Sequence, residues 1–203
     1  MKSRILISAT LIAFVMMSFV GTMPHIDVYK VDVNKSSLEW YAEKLTGKHN
    51  GTINVLTGEV KDDHGKLTGQ FEIDMASIEN KDMEAGQYKT KLENHLKSAD
   101  FFDAAKYPKS TFNLSSVTPL KDVKAGGPTH NVKGMLTIKD KTNEIAFDAI
   151  VTREPTSLTC TGSVIVDRSK FDVQYGSKAF FEDIGDKMIY DNFTLKFTIV
   201  ATK

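Results

Sequence analysis

Cysteine and the signature motifs of common enzyme families are scarce in this chain of 203 residues. The single cysteine, Cys160, excludes an internal disulfide, so the fold must be stabilised by packing and hydrogen bonds. Cys160 is either a redox or ligand-attachment thiol or a small buried side chain on a strand, and the second is favoured. The chain contains no P-loop, no G-x-G-x-x-G and no G-x-S-x-G elbow. Nothing in these patterns requires catalysis.

An excess of charge of either sign is also missing, because 26 basic and 26 acidic residues balance. No basic cluster with interleaved aromatic residues occurs. A near-neutral chain lacks the electrostatic attraction on which nucleic-acid binding depends. No nucleic-acid partner is therefore predicted.

The long uncharged apolar run of the chain lies at its start. Lys2 and Arg4 precede an apolar stretch over residues 5–20. A positive start, a short apolar run and polar sequence directly after it are typical of a secretory signal peptide. We therefore predict a signal peptide over residues 1–22, one domain over residues 23–203 and a periplasmic location. An uncleaved N-terminal anchor is the alternative.

Alternation of apolar and polar residues dominates the remainder. In the last segment, Phe193, Leu195 and Phe197 alternate with Thr194 and Lys196. One apolar and one polar face is typical of antiparallel sheet, and turn residues at short intervals indicate hairpins. The pattern predicts an all-β fold, an up-and-down antiparallel β-barrel of about eight strands, because closure removes exposed strand edges.

One helical insertion interrupts the strands. Tyr88, Leu92, Leu96 and Ala99 recur at three- and four-residue spacing, which predicts a helix over residues 82–97. Asn80 is the candidate N-cap. A single apolar stripe of this kind suits a helix that covers one end of a barrel.

The segment that follows this helix carries the most specific motif. From His95 to Phe112 the sequence reads HLKSADFFDAAKYPKSTF. It resembles the signature of the YceI-like family of exported bacterial polyisoprenoid-binding or lipid-binding proteins, which have a lipocalin-like barrel. Residues 69–78 and 134–139, and Asp167-Arg168 ahead of an aromatic residue, also match, so that the resemblance extends from about residue 29 to residue 203.

The resemblance implies an exported binding or carrier protein that holds a polyisoprenoid lipid or isoprenoid quinone inside the barrel, with no catalytic residues, cofactor or metal. Two alternatives stay open. One is an enzyme acting on such a lipid, which would need a polar cluster inside the barrel. The other is a stress-related barrel protein with a filled core, because alternation cannot distinguish a filled interior from a hollow one. Besides the lipid, the expected partners are a membrane or membrane protein in transient contact, with a homodimer as a further option.

The residues expected to bind the ligand are the inward apolar side chains of the predicted strands, together with the aromatic pair after the helix. They are Trp40, Phe71, Ile73, Phe101, Phe102, Phe112, Leu114, Leu136, Ile138, Phe147, Val164, Phe193, Leu195 and Phe197. The pairs Phe101-Phe102 and Phe180-Phe181 each lie outside predicted strands. Either one ring of each pair faces the cavity mouth, or both rings fix their loops to the core, which is favoured.

The polar candidates are three turn histidines and one arginine. His49, His64 and His130 could meet at one end of the barrel and bind a metal, although solvated turn histidines are favoured. His49 is equally suited to a ligand head group and to stabilising its own turn. Arg168 is expected to pair with a buried acid rather than meet a polar ligand end. Near it, this chain has Asp172 where the family commonly has glycine, which leaves the conformation of that turn open.

Overall fold

The computed structural model describes residues 26–203, and the predicted signal peptide over residues 1–22 lies outside the described residues. The strands and the helix follow in the order β1 Asp27–Val31, β2 Ser37–Lys44, β3 Gly47–Asp63, β4 Lys66–Asn80, α1 Gln87–Lys97, β5 Lys109–Pro119, β6 His130–Ile138, β7 Lys141–Glu154, β8 Ser157–Asp167 and β9 Asn192–Thr202. Two short 3₁₀ turns, Arg168–Phe171 and Gly185–Lys187, lie between β8 and β9.

The strands close into one antiparallel barrel. From β2 to β9 each strand pairs with the next, and β9 returns to pair with β2, where Leu195 lies opposite Trp40. The short β1 pairs with β3 and β9 beyond the end of β2, with Tyr29 opposite Val60 and Val31 opposite Ala201. β1 and β2 therefore share one position in the wall, and the predicted eight-stranded up-and-down barrel is confirmed.

Glycine on the inner face lets aromatic rings approach the backbone of a neighbouring strand. A β-carbon at Gly134 would lie 2.5 Å from the ring of Phe112. One at Gly51 would lie 2.6 Å from the ring of Trp40. Any larger residue would displace these rings, so the two glycines shape the inside of the barrel.

The start of the helix differs from the prediction. The helix begins at Gln87, directly after Gly86, a residue that disfavours helix interiors. Asn80 is fully buried at the end of β4 and does not cap the helix. Its side chain instead donates to the carbonyl of Asn50 (3.1 Å) and accepts from the N–H of Met83 (3.0 Å). The predicted cap therefore fixes the loop between β4 and α1.

The apolar stripe of the helix is narrower than predicted. Leu92 and Leu96 face the end of the barrel, whereas Tyr88 is 70% exposed. The apolar periodicity correctly predicted which residues face the barrel in the last two turns of the helix, but not in the first turn. Within residues 26–203, no helix is long and apolar enough to cross a membrane.

The Asp167-Arg168 motif closes a gap in the barrel wall. β7 pairs with β8 only over residues 149–154, so the earlier part of β7 has no backbone partner on that side. The 3₁₀ turn fills the space with the buried Phe171, and Asn143 Nδ2 donates to the carbonyl of Lys170 at 2.9 Å. Asp172 follows with φ 57°, the left-handed conformation that glycine favours and that aspartate tolerates better than most residues.

Candidate functional site

An apolar cavity of about 430 Å³ occupies one end of the barrel. Strands β2, β3, β4, β6 and β9 form its wall, because alternate residues of each strand point to the same side. The apolar residues of this wall are Leu38, Trp40, Ala42, Ile53, Ile73, Met75, Ile78, Leu136, Ile138, Phe193 and Leu195. Two buried polar residues also line the cavity: Ser110, whose hydroxyl donates to the carbonyl of Thr137, and Arg168.

The helix and the turn after it cover this cavity. Leu92 and Leu96 contribute from α1, and both Phe101 and Phe102 line the cavity from the turn. Backbone hydrogen bonds fix the turn: the N–H of Phe101 donates to Ser98 O at 3.1 Å, and that of Phe102 donates to Leu96 O at 3.2 Å. The most specific motif of the sequence therefore forms a roof over the cavity.

The second aromatic pair behaves differently. Phe180 and Phe181 are 40% and 50% exposed, and neither lines the cavity. The favoured interpretation, in which both rings fix their loop to the core, is wrong for this pair. Two apolar rings are left on the surface of the segment over residues 172–191, which forms the rest of the roof.

Arg168 holds that segment in place. The side chain is 4% exposed, and its guanidinium donates to carbonyl oxygens at both ends of the segment, namely those of Val173 (2.9 Å), Tyr175 (2.8 Å), Ile189 (3.1 Å) and Tyr190 (3.4 Å). Asp191 Oδ1 lies 3.3 Å from Nη2, which is the structural ion pair predicted from the sequence. Burial lowers the pKa of Arg168, and the charges of Asp191 and Asp167 act against that shift.

A polar rim surrounds the mouth of the cavity, with charged residues from β2 and from the roof segment: Glu43, Lys44, Asp186 and Lys187. His95 lines the mouth from α1 and packs edge-on against the rings of Phe101 and Tyr175, with centroids 4.9 and 4.6 Å away. Its Nε2 lies 3.2 Å from a carboxylate oxygen of Asp100. The imidazole is therefore oriented by two aromatic rings and by a carboxylate oxygen.

His49, from β3, also lines the cavity. Its Nδ1 lies 2.9 Å from Asp82, which also accepts hydrogen bonds from the N–H of Asn50 (2.8 Å) and from the amide of Asn80. Burial acts to raise the pKa of Asp82, but the hydrogen bonds from Asn50, His49 and Asn80 outweigh it and lower the pKa. His49 therefore stabilises its turn while it lines the cavity.

The three turn histidines do not meet. His49 pairs in register with Ala42 on the cavity wall, whereas His64 lies at the β3–β4 turn and His130 at the start of β6, both at the other end of the barrel. Across the described part of the chain, no group of three or more His, Cys, Asp or Glu residues could hold a metal ion. The three-histidine metal hypothesis is wrong.

Cys160 lies on β8 and packs against the core, half-buried, between Val151 of β7 and Ile199 of β9. Burial raises the pKa of its thiol to about 11. The thiol is therefore protonated near neutral pH, as expected for a packing residue rather than a reactive one.

The structure separates the residues expected to bind the ligand into two groups. Eight of them line the cavity: Trp40, Ile73, Phe101, Phe102, Leu136, Ile138, Phe193 and Leu195. The other six do not line it: Phe71, Phe112, Leu114, Phe147, Val164 and Phe197. These six pack in the core clusters, so the structure brings eight of the fourteen expected residues to the cavity and leaves six away from it.

A chain of ring contacts continues along the interior beyond the cavity. Successive ring centroids are 6.1 Å apart for Phe71 and Phe112, 6.0 Å for Phe112 and Phe147, and 5.3 Å for Phe147 and Phe197. Offset and edge-on contacts at these distances are favourable. Alternation identifies which side chains point inward, but it does not indicate how deep along the barrel the interior is filled.

Several residues of the cavity were missed from the sequence. Leu38 and Met75 continue the alternation of β2 and β4 and could have been included. Ile53 and Ile78 could not, because the pairing of β3 with β4 shifts register between Thr52 and Asn54 and again further along, which breaks strict alternation. Tyr175 and Ile189 come from the roof segment, for which the sequence offers no periodic signal.

The closed antiparallel barrel and the apolar cavity under a helical roof are features of the small ligand-binding β-barrels, and this protein is of that class. Residues 29–201 match the family model of the YceI-like domain, and the chain belongs to the YceI-like family.

Solved structures agree with this assignment. The crystal structure of Burkholderia cenocepacia BcnA is 29% identical, with a TM-score of 0.63 over 85% of this chain and 99% of that one. A polyisoprenoid binding domain from Saccharophagus degradans, implicated in plant cell wall breakdown, is 15% identical with a TM-score of 0.59, over 86% and 97% of the two chains. At that identity the likeness is one of fold.

One curated relative matches over a shorter stretch. A UPF0312 protein of Staphylococcus aureus is 36% identical over 92 residues, which are 41% of this chain and 47% of that protein. The match therefore spans about half the length of the curated relative.

Proposed function

We propose that this chain is a binding or carrier protein that holds the tail of an isoprenoid lipid or isoprenoid quinone in the barrel cavity. The observation that carries the proposal is the apolar cavity of about 430 Å³ with polar residues gathered at its mouth. An isoprenoid tail has almost no hydrogen-bonding groups and gains roughly 25 cal/mol for each Å² removed from water, less the cost of ordering it. Family membership and the barrel shared with the polyisoprenoid binding domain support the same ligand class.

The rim suits the polar end of such a ligand. His49 and His95 both line the mouth, and each is oriented by a carboxylate, Asp82 and Asp100 respectively. An imidazole held in this way can donate to or accept from a quinone oxygen or an alcohol or phosphate head. The tail then lies against Trp40 and Leu195 while the head remains at the mouth.

Binding rather than catalysis is proposed because the wall away from the mouth is apolar. Its hydroxyl-bearing residue, Ser110, already donates to a backbone carbonyl. A reaction on the tail would need positioned acids, bases or nucleophiles next to it.

We further propose that the protein works in the periplasm, where the predicted signal peptide would deliver it, and that it exchanges its ligand with a membrane. N-terminal sequencing of protein from the periplasmic fraction tests the first part. A mature start between residues 19 and 25 supports export, and an intact Met1 on protein from the cytoplasm contradicts it.

Ligand binding can be tested on protein purified from its native compartment. Extraction with organic solvent followed by mass spectrometry should release an isoprenoid lipid or quinone in near-stoichiometric amount. Recovery of protein that carries no such lipid and takes none up from vesicles would contradict the proposal.

A matched pair of variants shows whether the cavity is the site. Leu195→Glu places a carboxylate on the cavity wall, where an unpaired charge costs several kcal/mol or forces a pKa shift. Thr194→Glu places the same group on the outer face of the same strand. Trp40, the sole tryptophan of the sequence, lines the cavity and reports binding by fluorescence. We expect the fluorescence of Trp40 to change when lipid is added to the native chain and to Thr194→Glu, and to stay constant in Leu195→Glu.

A further inference from the structure

The exposed aromatic side chains of this protein gather on the roof of the cavity. Within residues 26–203 they are Tyr88 of α1 and, from the segment over residues 172–191, Tyr175, Phe180, Phe181 and Tyr190. Elsewhere in this described part of the chain, aromatic side chains are buried or half-buried. Single exposed apolar residues are ordinary, but a set confined to one end of the molecule indicates a contact surface.

Two of these rings lie at the mouth itself. Tyr175 and Tyr190 both line the cavity, and Tyr175 packs edge-on against His95 with ring centroids 4.6 Å apart. The N–H of Tyr190 donates to the carbonyl of Glu43 on the rim at 3.0 Å. Next to them Leu45, in the turn after β2, is 52% exposed, and its N–H donates to the same roof segment at 3.1 Å. Apolar surface therefore continues from the opening of the cavity onto the outside of the roof.

The other two rings are held outward by a defined turn. The N–H groups of Phe180 and Phe181 both donate to the carbonyl of Ser177, at 3.3 and 3.1 Å, and the N–H of Ala179 donates to the hydroxyl of Ser177 at 3.1 Å. Ser177 is fully buried, so it fixes this turn to the roof from beneath. Neither ring folds back onto the core, and the stabilisation that its burial would provide is left unused.

The charge of the roof does not favour an electrostatic partner. Residues 172–191 carry five carboxylates and two lysines, and one of the carboxylates, that of Asp191, pairs with Arg168. The rim adds Glu43 and Lys44, which balance each other. A surface of this kind is not attracted to the phosphates of nucleic acid or to anionic lipid head groups. Docking here must rest on the apolar rings.

A lipid bilayer is the partner that fits this surface. Whatever covers the exposed rings also covers the cavity mouth, because the two are continuous. Under the proposed function the ligand resides in a membrane, and its tail would have to cross water if the mouth stood away from the bilayer, which the hydrophobic effect opposes. Aromatic side chains are stable at the level of the head groups, and a fluid bilayer accepts protruding rings without a matching pocket.

We propose that Leu45, Tyr175, Phe180, Phe181 and Tyr190, named here the roof patch, dock the cavity mouth onto a lipid bilayer, so that the ligand passes between bilayer and cavity without crossing water. The proposal rests on the proposed function for the nature of the ligand and adds the surface through which the ligand is exchanged. Docking by apolar rings needs no anionic lipid and persists in high salt, because salt screens only ionic contacts.

The test is flotation of the protein with vesicles that contain no isoprenoid. Protein purified from its native compartment and stripped of ligand is mixed with vesicles of phosphatidylcholine, or of phosphatidylcholine and phosphatidylglycerol in equal parts, at low and high salt. We expect it to float with the phosphatidylcholine vesicles at least as well as with the mixed vesicles, and to remain bound in high salt.

A double variant and a matched control locate the surface. Phe180→Ser combined with Phe181→Ser removes two exposed rings that do not line the cavity, and should weaken vesicle binding by about tenfold or more, because neither side chain can then insert. Val123→Ser is the control. Val123 is 49% exposed, as much as Phe181, but it lies in the loop between β5 and β6 at the other end of the barrel, and its loss should leave vesicle binding unchanged.

Ligand delivered without a bilayer shows whether the cavity is intact in these variants. Geranylgeraniol dispersed in a mild detergent should change the fluorescence of Trp40 equally in the native chain, the double variant and Val123→Ser, since none of the substituted side chains lines the cavity. Transfer of the same alcohol from vesicles should be slower in the double variant alone.

The outcomes separate the docking surface from the proposed function. Native protein that does not float with phosphatidylcholine, or a double variant that floats as well as the native chain, would overturn the docking surface whether or not geranylgeraniol binds. Binding that requires phosphatidylglycerol and disappears in high salt would also overturn it. A native dimer that the double variant does not form would assign the roof patch to a second copy of the chain instead. Vesicle binding without uptake of geranylgeraniol from detergent would support the docking surface and overturn the proposed function.

Discussion

At the mouth of the barrel, Trp40, Phe193 and Leu195 border a cavity, whereas further along the interior Phe112, Phe147 and Phe197 pack ring against ring. Both groups are large apolar side chains on the same inner face. They differ in what lies opposite them. At the mouth, the opposing layer is a helix and a long segment that span the opening from above. Further along the interior, rings from several strands contact one another.

This difference shows that depth, rather than residue type, separates a binding surface from a core. Leu195 and Phe197 are two residues apart on β9 and point the same way, yet the first lines the cavity and the second lies in a packed ring cluster. Each inward position can therefore be assigned a role only after its neighbours across the barrel are known.

A different arginine stabilises each end of the barrel. Arg168 at the cavity end is buried and donates to four backbone carbonyls. Arg153 at the other end of the barrel is half exposed and pairs with the buried Asp62, which also accepts a hydrogen bond from the N–H of Gly65 at 2.7 Å. The roof segment at the cavity end thus depends on one buried cation, whereas Asp62 at the other end has a second partner besides its arginine.

The largest expected effect follows from this contrast. Arg168→Met leaves four carbonyls and Asp191 without their partner, and should lower the free energy of unfolding by about 3–5 kcal/mol. Protease cleavage should appear first within residues 172–191. Denaturant unfolding and limited proteolysis measure the two effects.

Arg153→Met is the matched control for that variant. It should cost about 1–2 kcal/mol, because Gly65 still binds Asp62 and water reaches the pair. Equal losses in the two variants would mean that the roof segment does not depend on Arg168 in particular.

A second prediction compares the same substitution in the two halves of the interior. Phe147→Ala removes a ring that contacts two others, and should lower the free energy of unfolding by about 3 kcal/mol. Phe193→Ala should cost about half as much in the lipid-free protein, because one side of its ring already borders the cavity. Urea unfolding of both variants makes the comparison.

Asp148→Ala is the outer-face control for the Phe147→Ala and Phe193→Ala variants. Asp148 lies next to Phe147 on the outer face, where it accepts a hydrogen bond from Asn131 Nδ2 at 2.7 Å. Its loss should change the free energy of unfolding by less than about 0.5 kcal/mol. A cost for Asp148→Ala equal to that of Phe147→Ala would invert the inside and outside of β7.

A third prediction uses thiol reactivity to compare the halves. Burial raises the pKa of Cys160 from 9.0 to about 11, so its thiolate fraction at pH 8 should be about a hundredfold smaller than in unfolded protein. Alkylation by iodoacetamide should be slower by at least that factor. In a Cys160→Ala background, Ile73→Cys on the cavity wall should react faster than Cys160 does in the native chain. The reverse order would show that the cavity half is the less accessible one.

The smallest effect concerns the rim. The hydrogen bonds of Asp82 hold its pKa below 3.8, so the folded state favours the charged carboxylate. Its contribution to stability is present above pH 3.8 and is lost as the pH falls below that value. Asp82→Asn should therefore be less stable than the native chain at pH 7 by less than about 1 kcal/mol, and the difference should vanish in acid. Thermal melts of both proteins at pH 7 and pH 2 check this. A stability difference between them that persists at pH 2 would contradict the prediction.

The sequence by itself determined the strands, the faces and the family. Alternation in β9 placed Phe193, Leu195 and Phe197 on the inner face, because successive side chains of a strand must point to opposite sides. The motif from His95 to Phe112 identified the YceI-like family, and the turn residues predicted the meander that closes into the barrel.

Only the tertiary structure decided which inward residues border a cavity. Whether Ile73 lines open space and Phe71 fills it depends on how far side chains from β5, β6 and β7 reach across the barrel, and these contacts join residues far apart in sequence. The start of α1 at Gln87 was likewise decided at long range, since Asn80 binds Asn50 on β3 instead of capping the helix. Local periodicity determines to which side of a strand a side chain points, but it contains no information about which residues lie opposite that side chain across the barrel.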